Sequence, residues 1–226
     1  MTEKKPPEFW KYRRYLESPT AHLANSLRSD PYILSWMMAF EPKRILEVGA
    51  GSGRASILAA RLIPDVKVVA LDNDEDNCRV IKEYAEGYKT HIAVIMGDMF
   101  RLPFENQSFD ICFSVGVLEH FDKVGVLQTL REQLRVAKLI LLEVPLAHWF
   151  VSERFTSSGD ELIMVKAEWI KLLMQVGYIL DFSLLGPTQE EIILLAALSD
   201  QIGLSLMVGN NLRVTVAGSI EGGNNG

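Results

Sequence analysis

Five apolar, β-branched runs recur through the first two thirds of the chain, and they limit its fold more than any other feature. They are Arg44–Val48, Val66–Asp72, His91–Asp98, Phe109–Val115 and Ala137–Val144, and their starts lie 18 to 28 residues apart. Each is nearly continuous in apolar residues, the pattern of strands covered on both faces. Segments with helical spacing separate several of them: Ser52–Ile63, Asp74–Glu86 and Lys123–Val136. Strand alternating with helix implies right-handed βαβ units and a mostly parallel sheet with helices on both faces. The expected class is α/β.

After the fifth run the pattern changes. Lys166–Val176 has helical spacing and stops at Gly177, which suits a helix C-terminus. Tyr178–Leu185 reads as a strand. Gln189–Leu198 reads as a helix with Glu190 and Glu191 in its first turn, where acids suit the helix dipole. Leu212–Ile220 reads as a closing strand. At the other end Glu8–Phe40 reads as helical, interrupted near Pro19 and Pro31. The expected organisation is a helical extension or lid over residues 1–40, one α/β domain over 41–220 and a disordered tail over 221–226.

Composition narrows the classes. At 226 residues, 48% hydrophobic and 23% charged, the chain can bury its own core without disulfides or a structural metal. Lys plus Arg is 23 and Asp plus Glu is 29, a net charge of -6, which works against a phosphate-backbone partner. Lys11, Arg13 and Arg14 form the only clear basic run, and a solvated helix face is the better explanation of it. Cys78 and Cys112 stand outside any CxxC pair and read as reduced, buried thiols. The first residues lack the apolar core of a signal peptide, and no stretch has the roughly 18 uncharged apolar residues of a membrane span. A cytoplasmic protein with no membrane partner is expected.

The chemistry concentrates at Leu46-Glu47-Val48-Gly49-Ala50-Gly51-Ser52-Gly53-Arg54, which leaves the first predicted strand and opens the first predicted helix. Gly49 and Gly51 let backbone approach a ligand with no Cβ in the way, and the helix start beyond them offers free N–H groups. This is a nucleotide-binding βα turn in general design. A dinucleotide fingerprint, G-x-G-x-x-G, would need its third glycine at position 54, which is Arg54. The glycines fall at 49, 51 and 53 instead, and Glu47 sits poorly beside a pyrophosphate. The second strand ends in Asp72-Asn73, where an acid can accept from both ribose hydroxyls. The third ends in Asp98-Met99, where a second acid can accept from an adenine amine. Each has a plainer alternative: the glycines make a tight turn, Asp72 caps the next helix, Asp98 caps a turn.

In order, EVGAGSG, ALDND, GDMFRLPF and SFDICFSVGVLEHF resemble the motif set of class I S-adenosylmethionine (SAM)-dependent methyltransferases, in the small-molecule branch with an "EH" pair after the fourth strand. The resemblance covers roughly Arg44–Val144. It implies a Rossmann-like α/β fold with a seven-stranded, mostly parallel sheet whose last strand is antiparallel. It implies SAM as cofactor. The methionine end would lie by Glu47, Gly49, Ala50 and Gly51, ribose at Asp72 and Asn73, adenine near Asp98 and Met99, with Ser114, Val115 and Gly116 beneath the ligand.

A sulfonium methyl is already activated, so such a protein mainly positions two partners in a dry site. A hydroxyl acceptor also needs a base, and an imidazole is matched to that task around neutrality. His120 is the first candidate, against the stronger alternative that Glu119 and His120 only brace their loop by hydrogen bonds. His148 is the second, in a segment where Trp149, Phe150 and Phe155 either line an acceptor pocket or simply pack. Trp10, Tyr12, Arg13, Arg14 and Tyr15 are candidate lid contacts. Some quinone-pathway O-methyltransferases carry a Glu three residues before the EH pair; here Gly116 stands there, and no metal is expected. The tetrapeptide of amino-group DNA methyltransferases is replaced by SVGV, so no nucleic-acid partner is expected. The expected partner is a small-molecule acceptor, methylated at O or N, with a homodimer allowed for. Two alternatives stay open: an NAD(P)-dependent oxidoreductase, and a methyltransferase-like SAM-binding protein without catalysis.

Overall fold

The structure, a computed structural model, describes residues 31–145, 162, 164–185, 193–199, 206–208 and 212–214. The expectations for Trp10, Lys11, Tyr12, Arg13, Arg14 and Tyr15, for His148, Trp149, Phe150 and Phe155, and for the 221–226 tail fall outside these residues.

Helix α1 spans Pro31–Phe40, strand β1 Arg44–Val48, helix α2 Arg54–Leu62, strand β2 Lys67–Asp72, helix α3 Glu75–Gly87 and strand β3 Ala93–Met96. Strand β4 (Phe109–Val115) leads through a 3₁₀ turn (Leu118–His120) to helix α4 (Lys123–Val136), strand β5 (Ala137–Pro145) and helix α5 (Lys166–Leu173). Then follow β6 (Tyr178–Leu185), β7 (Ile193–Ser199), β8 (Leu206–Val208) and β9 (Leu212–Val214). β1, β4 and α4 have the bounds expected from the sequence. β3 is shorter than the expected His91–Asp98.

The first five strands are parallel and lie in the order β3-β2-β1-β4-β5. Neighbours run outward in opposite directions from the β1–β4 boundary. That boundary is the switch point beside which open α/β sheets bind ligands at their carboxyl ends. β5 pairs antiparallel with β7, and β7 antiparallel with β6.

Side-chain alternation divides the core in two. Leu46, Val48, Leu71, Cys112, Ile140 and Leu142 point to one face, against Leu130 of α4 and the fully buried Trp169 of α5. Ile45, Val68, Ile111, Phe113, Leu139 and Leu141 point to the other, against Ile33 and Met37 of α1 and Leu58 of α2. The helices start at identifiable caps. Asp74 accepts from the backbone N–H of Asn77 at 3.0 Å, and Asp122 from that of Gly125 at 2.8 Å.

Two readings of the last third are corrected. Of the expected helix Gln189–Leu198 the described part is not helical: Ile193–Ser199 is a strand paired on both sides. A short apolar run has no period that separates strand from helix, and here the open edge of β5 decides. Of the expected closing strand Leu212–Ile220 the described part, Leu212–Val214, pairs antiparallel with Leu206–Val208 and not with the large sheet. Cys78 and Cys112 are free and buried. Burial, with Glu47 nearby, holds the Cys112 thiol well above its ordinary pKa, which leaves it unreactive. Among the described residues no helix is long and apolar enough to cross a membrane.

Candidate functional site

The glycine turn joins β1 to α2 at the switch point. All three of its glycines have positive φ: 67° at Gly49, 57° at Gly51 and 70° at Gly53. Their surroundings differ. A Cβ on Gly49 would come 2.8 Å from the Val117 methyls, and one on Gly53 would come 2.7 Å from Ile81 of α3. Those two glycines let loop and helix close on the turn. Among the described residues a Cβ on Gly51 would meet nothing within 4 Å. The middle of the turn therefore faces open space with its backbone bare. Ala50 packs with Ala70 and Ile81, and its N–H donates to the Leu71 carbonyl at 3.1 Å, tying the turn to β2.

Buried acids brace the turn from two sides. Gly53 begins α2 without a side-chain cap. Glu47, buried on β1, supplies one from outside: its Oε2 accepts from the N–H of Ser56 at 3.1 Å. A carboxylate there also suits the helix dipole. Asp72, 4% exposed, accepts from the Gly51 N–H on Oδ2 at 2.7 Å. Its Oδ1 takes the Asp74 N–H at 3.0 Å and the Asn77 Nδ2 at 2.9 Å. Asp74, not Asp72, caps α3. Asn73 is exposed at the same strand tip.

Beyond β3, Asp98 is exposed and accepts from the Phe100 N–H at 2.8 Å, so it does cap its own turn. Met99 is buried in the core, with its carbonyl near the Thr129 hydroxyl at 3.4 Å, which leaves little of its side chain for a ligand. The loop after it is clamped from α4. Arg135 uses all of its guanidinium donors: two bonds to Glu132, and one each to the Leu102 carbonyl, the Phe104 carbonyl and Asn106. Glu132 Oε2 accepts in return from the Leu102 N–H at 3.0 Å. Arg135→Lys keeps the charge and loses the planar fork. We expect it to unfold with about 1–3 kcal/mol less stability at pH 7. The hydrogen bond from Arg135 holds the Glu132 carboxyl below its ordinary value. A depressed folded pKa stabilises above the unfolded value and is lost as pH falls through the folded one. The gap between variant and wild type in denaturant titrations should therefore narrow below about pH 4; a constant gap refutes the ionic part.

The β4 end divides likewise. Ser114 is fully buried and its hydroxyl has no partner among the described residues. Val115 and Gly116 are half-buried, and Gly116 has φ 64° and donates to the Glu143 carbonyl at 3.0 Å. Val117 covers Gly49. Glu119 is the buried member of the EH pair and His120 the half-exposed one. Both loops of the switch point thus meet. Glu47, Gly49, Ala50, Gly51, Asp72, Val115, Gly116 and His120 gather at this end of the sheet, with Asn73 and Asp98 on the neighbouring strand ends. Ser114 and Met99 lie within the core.

Residues 45–139 match the model of the "Methyltransferase domain" family. Over that stretch, less than half of its length, the chain is similar to a methyltransferase domain. It is 34% identical over 101 residues to a malonyl-[acyl-carrier protein] O-methyltransferase of Xylella fastidiosa, covering 44% of this chain and 34% of that protein. It is 28% identical over 114 residues to a demethylmenaquinone methyltransferase of Thermotoga maritima, covering 50% and 48%. The chain thus spans about a third to a half of these curated relatives. Among solved structures it resembles magnesium protoporphyrin IX methyltransferase of Synechocystis with bound S-adenosylhomocysteine (SAH), at TM-score 0.66 and 15% identity, covering 84% of this chain and 94% of that one. At that identity the likeness is one of fold.

Two supports of this site carry little or no signal in the sequence. One is Asn77, whose amide holds Asp72. The other is the Glu132–Arg135 pair that clamps residues 102–106. An acid and an arginine three apart on a helix were the only signal for the second. The match ends near β5, so the acceptor side of the domain rests on less shared sequence than the glycine turn.

Proposed function

We propose that this chain transfers a methyl group from SAM to a small-molecule acceptor, at oxygen or nitrogen. The glycine turn carries the reading. Of its three positive-φ glycines, two are pressed against side chains and the middle one faces open space at the switch point. That bare backbone, with Asp72 one hydrogen bond away, fits a nucleoside with a charged amino-acid tail. The names of the matched proteins, among them a demethylmenaquinone methyltransferase and a magnesium protoporphyrin IX methyltransferase, support a small-molecule acceptor. We read β7 and β6 as completing the seven-stranded sheet with its antiparallel strand.

In this reading Gly49, Ala50 and Gly51 lie along the methionine end, Asp72 and Asn73 at the ribose, and Asp98 and the backbone of Met99 at the adenine. Val115 and Gly116 form the floor, with Ser114 and Glu47 supporting it from behind. Bound SAM supplies a methyl on positively charged sulfur. The protein's share is to align the acceptor and keep water out. His120, half-exposed beyond β4, takes the proton of a hydroxyl acceptor on its imidazole. An acceptor amine that enters neutral needs no such base.

Calorimetric titration with SAH and with NADH tests the cofactor. Binding of SAH and not NADH is expected, and the reverse ends the proposal. Turnover of radiolabelled SAM with a panel of hydroxyl and amine acceptors then tests catalysis. Gly51→Val places a branched side chain in the open space. SAH affinity should fall more than about tenfold, or ~1.4 kcal/mol, in a protein that still melts cooperatively. Unchanged affinity puts the ligand elsewhere.

A further inference from the structure

We propose that Asn77 locks the Asp72 carboxylate so that it grips one ribose hydroxyl instead of two. The inference rests on the reading that this site binds SAM. A carboxylate offers about four acceptor positions, two on each oxygen. Oδ1 of Asp72 has both filled, by the Asp74 N–H at 3.0 Å and Asn77 Nδ2 at 2.9 Å. Oδ2 has one filled, by the Gly51 N–H at 2.7 Å. One position remains, and it lies on the oxygen that faces the glycine turn, beside the open space at Gly51. A second hydroxyl can be accepted only if an internal bond breaks.

Asn77 makes that arrangement rigid. It sits in the first turn of α3, its backbone N–H is held by Asp74, and the residue is 7% exposed. Its amide has one workable orientation, because only the Nδ2 end can face a carboxylate. The Oδ1 end is then left buried and, among the described residues, without a partner. Burying an unpaired amide oxygen is destabilising, and the neighbouring buried positions of α3, Cys78, Val80 and Ile81, are apolar. An aliphatic residue would serve packing better. The amide serves the orientation of Asp72, so Asn77 is a positioning residue that sets ribose specificity.

The test is calorimetry with three ligands: SAH, its 2′-deoxy analogue and its 3′-deoxy analogue. Wild type should lose at least about tenfold in affinity for one deoxy analogue and less than about threefold for the other. Asn77→Leu and Asn77→Ala both remove the donor to Oδ1, the first with little change of volume. In each, the two deoxy penalties should converge to within about threefold, as Asp72 turns to share both oxygens. Equal penalties in wild type overturn the proposal. So do variants that melt lower but keep the wild-type asymmetry, because a purely structural role predicts that result. Wild type that binds no SAH overturns the SAM reading itself, and this inference with it; wild type that binds SAH without asymmetry overturns this inference alone. The wild-type comparison decides even where neither variant folds.

Discussion

On a hydroxyl acceptor, His120→Ala lowers kcat by about 10²–10⁴-fold, the range of a positioned acid or base. SAH affinity and melting temperature change little. The structure separates the two members of the EH pair in a way that makes this expectation sharp. Glu119 is buried, and the backbone carbonyl at 119 accepts from the Leu162 N–H, which ties the 3₁₀ turn to the segment before α5 whatever side chain stands at 120. His120 is half-exposed at the turn's end, and losing its ring opens no core cavity. If His120 instead braces the loop, stability and SAH affinity fall together and kcat follows modestly. Single-turnover rate, melting temperature and SAH dissociation constant, measured on one preparation, separate the cases. A near-normal single-turnover rate at saturating SAM removes His120 as base and passes the question to His148, or to an acceptor that enters neutral.

Asp72→Ala should have two effects at once. It strips the acceptor from Gly51 N–H, Asp74 N–H and Asn77 Nδ2 together. Donors left unpaired in a buried setting cost about 1–3 kcal/mol each. With partial relaxation the fold should lose about 2–4 kcal/mol. The variant also loses a charge-assisted bond to ribose, worth roughly 1.5–3 kcal/mol, or about 10–150-fold in SAH affinity. Asp98→Ala should cost less on both counts, because Asp98 is exposed and its visible bond caps its own turn. Denaturant titration and calorimetry on both variants check this ordering. Negligible affinity losses at both positions refute the assignment of ribose and adenine ends.

How legible the site was depended on range along the chain. Gly49, Gly51 and Gly53 were readable because a strand-to-helix turn needs positive φ at set spacing, a requirement local to a few residues. The spacing did not say which glycine faces the ligand. That depends on Val117 and Ile81, which approach from other elements. Asp72 was readable as a strand-tip acid, and its alternative as a helix cap failed because Asp74 takes that place two residues on. Its partners Asn77 and Gly51 were not readable, since nothing in an isolated asparagine announces a carboxylate beside it. Met99 and Ser114 sat in the right motifs, and the turn after β3 and the pleat of β4 then put their side chains into the core.

The sequence by itself determined the βα alternation, the parallel strands between Arg44 and Val144 and the position of the glycine turn. Each is written in local signals: continuous apolar runs, helix caps and left-handed glycines. Tertiary structure alone decided the last third and the fine geometry of the site. Ile193–Ser199 has helix and strand readings of equal local merit, and it becomes a strand because β5 and β6 offer backbone donors and acceptors on both sides. Glu47 reaches the start of α2, Arg135 reaches back to residues 102–106, and Asp72 turns onto Gly51, through contacts between residues 9 to 33 positions apart. Such contacts leave no periodic trace, because they form only once the sheet has brought its carboxyl ends together.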